Sequence, residues 1–136
     1  MLISDVMTRN PVTVSSTTTT AQAMKMLYEL DVRHLPVVDE GEVVGIVSDR
    51  DFRGLVVDEL AAMVEPEAVS SALEAAISTL MSSDVVTVAD EDELRTAIDV
   101  MLEERVGAIP VVRQGTAELA GILSYVDVLR ALRSTG

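Results

Sequence analysis

Apolar positions along this chain fall into short blocks that alternate between two spacings. Val12-Thr13-Val14 and Val85-Val86-Thr87-Val88 are compact β-branched runs, the composition of strands. A stretch with apolar residues at helical spacing follows each run. In the later one Leu94, Ala97, Ile98, Met101 and Leu102 fall at i, i+3, i+4, i+7 and i+8 and predict a single apolar stripe. In the earlier one Ala23, Met24, Leu27 and Tyr28 do the same, with Met26 and Leu30 widening the face. The two helices are predicted to end near Val32 and Val106. Two strands come next in each block, 34–38 with 43–47 and 108–112 with 119–123. The first pair is joined by the turn Asp39-Glu40-Gly41-Glu42, the second across Gly115. A short helix from Asp49 or Tyr125 closes each block, and a short helical lead, 2–7 or 74–81, opens it.

The blocks are two copies of one unit. Met7, Val12-Thr13-Val14, Ala23, Val32, Pro36-Val37-Val38 and Gly41 recur 74 residues later as Met81, Val86-Thr87-Val88, Ala97, Val106, Pro110-Val111-Val112 and Gly115. After a two-residue insertion Gly45-Ile46, Ser48 and Asp51 recur as Gly121-Ile122, Ser124 and Asp127. Each copy reads β-α-β-β-α, an α/β (α+β) unit. The hairpin strands should pair antiparallel, and the first strand, which reaches the sheet through a helical crossover, should pair parallel. A unit of this size buries too little surface to stand alone, so two copies packed sheet to sheet are expected to share one core. We divide the chain into a first repeat at 1–57, an acidic linker at 58–69 carrying Glu59, Glu65, Pro66 and Glu67, and a second repeat at 70–136.

Charge and composition then exclude several functions. Against 23 acidic residues stand 10 basic ones, a net of −13, which repels phosphate backbones. The three rings, Tyr28, Phe52 and Tyr125, form no platform for stacking successive bases, so no nucleic-acid partner is expected. A lone lysine, Lys25, in so acidic a chain fits a high-salt cytoplasm or a GC-rich genome equally. No apolar run is long enough to span a bilayer, and residues 1–5 lack the features of a secretory signal, so a cytoplasmic location and no membrane partner are expected. With no cysteine and one histidine, no thiol nucleophile, disulfide or polyhistidine metal centre is available, and no metal site is expected. The methionines, Met24, Met26, Met81 and Met101 among them, fit core filling. The acidic runs Asp39-Glu40 with Glu42, and Glu91-Asp92-Glu93, fit solvated turns and an acidic first helical turn. There is no Walker loop, no Gly-rich dinucleotide loop and no nucleophile–His–acid arrangement.

Leu35-Pro36-Val37-Val38-Asp39 followed by Gly45-Ile46-Val47-Ser48-Asp49-Arg50-Asp51 resembles a cystathionine-β-synthase (CBS) domain. So does Ile109-Pro110-Val111-Val112 followed by Gly121-Ile122-Leu123-Ser124-Tyr125-Val126-Asp127, and the lead Asp5-Val6-Met7-Thr8 before Val12-Thr13-Val14 fits as well. The resemblance covers nearly the whole chain and marks a free-standing tandem pair, a Bateman module. It implies a pseudo-twofold disc, often a homodimer, that binds adenosine-containing ligands (AMP, ADP, ATP or S-adenosylmethionine) in two clefts between the repeats. It also implies a regulatory, energy-sensing role toward an unidentified partner protein, with no catalysis and no required cofactor. A dimerisation adaptor with empty clefts is the alternative, and a nucleotide hydrolase would have only Asp51 and Asp127 as metal-binding carboxylates.

Ser48-x-x-Asp51 and Ser124-x-x-Asp127 have capping-box spacing at strand-to-helix junctions. The same geometry would let Ser bind a phosphate and Asp accept from a ribose, and the resemblance carries those roles over to Ser48, Ser124, Asp51 and Asp127. Arg33-His34, before Pro36, suits either a solvated helix end or a phosphate contact. The second repeat has Gly107-Ala108 at the matching positions, so the two clefts are expected to differ. The resemblance places Thr8, Thr13 and Val32 along the cleft of Asp127, and Val86, Thr87 and Gly107 along that of Asp51. Strand core is the plainer reading of those valines and threonines. Ile46 and Ile122 are the expected aliphatic walls for adenine. The terminal helices, with Phe52, Leu55, Val56, Val57, Val128, Leu129 and Leu132, are the expected dimer surface.

Overall fold

The computed structural model describes residues 1–53 and 66–135. In chain order the elements are a 3-10 turn at Ile3–Asp5, β1 (Thr8–Arg9), α1 (Thr20–Glu29), β2 (His34–Asp39) and β3 (Glu42–Ser48). The first turn of α2 follows at 49–53. Next come α3 (Pro66–Glu74), a second 3-10 turn at Ile77–Thr79, β4 (Val88–Ala89), α4 (Leu94–Glu104), β5 (Ala108–Val112), β6 (Leu119–Ser124) and α5 (Tyr125–Thr135). The two leads are therefore single 3-10 turns rather than full helices, and α3 begins inside the acidic segment 58–69. The β-branched run 12–14 contributes to a sheet only through a bridge at Val14.

The chain forms two compact units, and they are not the two repeats. One unit comprises Met1–Val12, Glu40–Val43 and Val86–Gly136; the other comprises Thr13–Asp39 and Val44–Val85. The repeats have exchanged their leads. In the first unit β1 pairs antiparallel with β6, Thr8 opposite Ile122 and Arg9 opposite Gly121, in a sheet of order β1-β6-β5-β4. In the second unit β2 and β3 are paired, Ser82 bridges Ile46 antiparallel, and Val14 bridges Val37 in parallel. These are the repeat equivalents of Thr8–Ile122 and Val88–Val111, so both units use one strand order, with the outer members of the second reduced to single bridges. As the crossover helix requires, β4 pairs parallel with β5, and the hairpin strands β5 and β6 pair antiparallel.

Two glycines permit the exchange. A Cβ on Gly121 would lie 2.7 Å from the Thr8 carbonyl oxygen and 2.8 Å from the Met7 sulfur. One on Gly45 would lie 2.6 Å from the Met81 sulfur and 3.0 Å from the Ser82 carbonyl oxygen. Only a residue without a side chain lets the exchanged lead run so close to the last strand.

Each unit has its own apolar core, and each core draws residues from both repeats. Ile3, Met7, Val88, Leu94, Ala97, Ile109, Val111, Leu123 and Val128 fill the first. Val14, Ala23, Leu27, Leu35, Val37, Val47, Phe52 and Ile77 fill the second. Ile3 and Ile77 are repeat equivalents, and each is fully buried in the core built on the other repeat's hairpin. Phe52 and Val128 are buried in these cores, which removes them from any dimer surface; Leu129 and Leu132 stay exposed, and 55–57 lie outside the described residues. The predicted helical stripes also run too wide, by Tyr28 and Leu30 in the first repeat and by Leu102 in the second. Tyr28 is 79% exposed and its equivalent Leu102 73%, because the face that meets the sheet is already filled by Ala23 with Leu27, and by Leu94 with Ala97. The helices end at left-handed residues, Asp31 (φ 51°) and Arg105 (φ 55°), also equivalents. Among the described residues no helix is long and apolar enough to cross a membrane.

Candidate functional site

Both hairpins deliver a serine at the end of their last strand and start a helix with the next residue. At β6 the Ser124 backbone N–H and Oγ–H both donate to Asp127 Oδ2, at 3.0 and 3.1 Å, and the Asp127 N–H donates back to Ser124 Oγ at 3.2 Å. At β3 the Ser48 N–H and Oγ–H donate to Asp51 Oδ2 at 2.8 and 3.2 Å. These are helix caps: each carboxylate oxygen satisfies two donors at a helix start and places negative charge there.

The cap leaves the second carboxylate oxygen for other work. In the first unit Thr8, on the exchanged lead, donates from Oγ1 toward Asp127 Oδ1 at 3.3 Å and Oδ2 at 3.4 Å. Asp127 Oδ1 therefore keeps acceptor capacity, since an ionised carboxylate takes about four hydrogen bonds. In the second unit, among the described residues, Asp51 accepts from Ser48 alone.

The segment before each proline is tied to the helix that follows the same hairpin. The Asp49 N–H donates to the Arg33 carbonyl at 2.9 Å, and the equivalent Tyr125 N–H donates to the Gly107 carbonyl at 3.0 Å. His34 consequently sits half-buried near Asp49 and Asp51. Burial pushes its pKa below the ordinary histidine value and Arg33 pushes the same way, while Asp49 and Asp51 oppose them.

The structure thus brings Thr8, Ser124, Asp127 and Ile122 together in one unit, which also holds Val86, Thr87 and Gly107. It brings Arg33, His34, Ser48 and Asp51 together in the other, with Ile46, Thr13 and Val32. A cavity of about 610 Å³ in the first unit is lined by Met1, Asp5, Val6, Asp127, Arg130, Ala131 and Ser134. One of about 270 Å³ in the second is lined by Met24, Leu27, Tyr28, Asp31, Val32, Arg33, Asp49, Phe52 and Arg53. Asp5, Arg130 and Ser134 escaped the reading of motifs. The available signal was helical spacing, since Arg130 and Ser134 continue the face of Asp127 at i+3 and i+7. Among the described residues no three histidine, aspartate or glutamate side chains come together as a metal site.

A family model for the CBS domain matches residues 3–58 and again 77–134. A relative from Methanocaldococcus jannaschii, the uncharacterized protein MJ1225, is 28% identical over 130 residues, which is 95% of this chain but 46% of that protein's length. The crystal structure of CBSX2 in complex with AMP superposes with a TM-score of 0.82 at 31% identity, covering 98% of this chain and 97% of that one. The CBS domain pair of MJ0100, solved in complex with 5′-methylthioadenosine and S-adenosyl-L-methionine, gives a TM-score of 0.78 at 23% identity over 100% of this chain and 98% of that one, a likeness of fold.

Proposed function

Because the chain belongs to the CBS domain family, matched once by each repeat, we propose that it is a ligand-sensing regulatory module for adenosine-containing small molecules rather than an enzyme. The observation that carries this reading is the carboxylate of Asp127. Its Oδ2 is engaged by the Ser124 cap while Oδ1 retains room for a ribose hydroxyl, on a chain whose structural neighbour holds AMP. Asp51 repeats the arrangement in the other unit, where Arg33 adds the charge that suits phosphate and His34 a half-buried imidazole beside it. Ligand bound to one arrangement of the module more tightly than to another shifts the population, and a partner protein reads the shift in the cytoplasm. Isothermal calorimetry with AMP, ADP, ATP and S-adenosylmethionine tests the reading; micromolar binding of any of them is expected. No heat and no thermal shift with all four at millimolar concentration would refute it.

A homodimer is part of the same proposal. Tyr125, Leu129 and Leu132 lie at i, i+4 and i+7 on α5 and all remain exposed, an apolar stripe flanked by the basic Arg133. A second copy of this chain supplies a matching apolar face, since a twofold interface sets the same stripe against itself.

A further inference from the structure

We propose that Arg130 is the residue through which the first unit reads an anionic group, phosphate or carboxylate, on the 5′ side of a ligand whose ribose is held by Asp127. The proposal rests on the ligand-sensing reading above and names the charge of the ligand tail. Asp and Arg three residues apart on a helix ordinarily pair with each other. Here they do not. The Asp127 carboxylate is held by Ser124 and Thr8, and among the described residues the Arg130 guanidinium has neither an ion pair nor a hydrogen bond. Both side chains line the same cavity of about 610 Å³. Asp5, the other carboxylate on that wall, accepts from the Leu2 backbone N–H at 3.0 Å, and the Ser134 hydroxyl is turned to the Arg130 carbonyl at 3.1 Å. This open groove therefore offers a diol acceptor and, one helical turn away, the exposed planar fork of Arg130, whose donors have no protein partner among the described residues.

The two repeats place their cations differently. The first repeat has Arg33 before the proline, Arg50 and Arg53 on either side of Asp51, and Gly54 at the position matching Arg130. The second has Gly107-Ala108 before the proline and Arg130 on the helix. Each repeat has a cationic element, placed differently, so the second site is not the uncharged one that Gly107-Ala108 alone suggests.

The experiment is a two-site titration of wild type, Arg130→Ala and Arg130→Lys with adenosine, 5′-methylthioadenosine, AMP and S-adenosylmethionine, with melting temperatures as a folding control. At one site Arg130→Ala should weaken AMP, S-adenosylmethionine or both by about 10- to 100-fold, the loss of one charge-assisted contact. Adenosine and 5′-methylthioadenosine should change less than about twofold, and Arg130→Lys should recover part of the loss. A loss confined to AMP assigns phosphate, and one confined to S-adenosylmethionine assigns carboxylate. Equal losses for charged and uncharged ligands, or unchanged binding of both charged ligands, overturn the proposal while leaving the module a sensor. Wild type that binds none of the four overturns the sensor reading and this proposal together.

Discussion

Thr8 and Asp127 stand 119 positions apart in the chain, and the Thr8 hydroxyl reaches both carboxylate oxygens of Asp127, at 3.3 and 3.4 Å. The first turn of the last helix is thus fastened to the first strand of the chain. The contact exists because the repeats trade leads: β1 runs beside β6, and Gly121 removes the side chain that would hold it off.

That fastening predicts an energetic coupling. Thr8→Val should lower stability by about 0.5–1 kcal/mol, since the bond is long and exposed. Asp127→Ala should cost about 1–2 kcal/mol, because it removes the cap as well. The double variant should cost no more than Asp127→Ala alone. Urea unfolding of the four proteins gives the cycle, and strictly additive losses would mean that the two side chains do not interact.

The glycines predict an asymmetry between equivalent positions. A Cβ on Gly121 meets a backbone carbonyl at 2.7 Å, whereas on Gly45 the tightest contact is the end of a flexible methionine and the backbone carbonyl is at 3.0 Å. Gly121→Ala should therefore destabilise by about 1–3 kcal/mol and Gly45→Ala by less. Thermal melts compare them, and an equal or larger loss at Gly45 would contradict the close approach of β1.

Much of this architecture was legible in the sequence, for identifiable reasons. The hairpins announced themselves through Pro36-Val37-Val38 and Gly41, and their repeats, because strand composition and turn glycines act locally. The left-handed pair Glu40 (φ 52°) and Gly41 (φ 82°) forms the two-residue turn that Asp39-Glu40-Gly41-Glu42 predicts. Which repeat each lead would join was not legible from periodicity, because Ile3 and Ile77 are interchangeable as core residues and only tertiary packing decides between them. Tyr28 and Leu102 misled for a related reason. Helical spacing identifies an apolar arc but not how much of it a sheet covers. Arg130 was missed because nothing in Ser-x-x-Asp requires a cation one turn later.

His34 predicts a pH dependence of fixed sign. Its folded pKa lies below the unfolded value of 6.5, mainly through burial, with Arg33 acting in the same direction against Asp49 and Asp51. Between the lowered folded pKa and 6.5 the unfolded chain binds the extra proton, so stability rises with pH across that window. The contribution is complete above the unfolded pKa and is lost as pH falls through the folded one. Wild type should lose melting temperature on acidification from pH 7.5 toward pH 5 faster than His34→Gln does, a difference visible by scanning calorimetry at several pH values. Parallel curves would show that His34 titrates alike in both states.

The exposed stripe on α5 makes the sharpest statement about assembly. Leu129 is 59% and Leu132 52% exposed, while Val128 between Asp127 and Leu129 is buried in the core. Substitution at the exposed pair should barely disturb the folded unit, within about 0.5 kcal/mol, because neither side chain is enclosed by its own unit. If a second copy covers the stripe, each leucine buried there contributes about 1.5–3 kcal/mol to association. Leu129→Glu with Leu132→Glu should then convert a dimer to a monomer. Two measurements read this together. Light scattering should give twice the chain mass for wild type and the chain mass for the variant. The melting temperature of wild type should rise with protein concentration, as linkage requires, and that of the variant should not. Val128→Ala serves as the contrast, lowering the melting temperature at every concentration without changing the mass. A wild-type monomer with a concentration-independent melting temperature would remove the homodimer from the proposal and leave the stripe to a different protein.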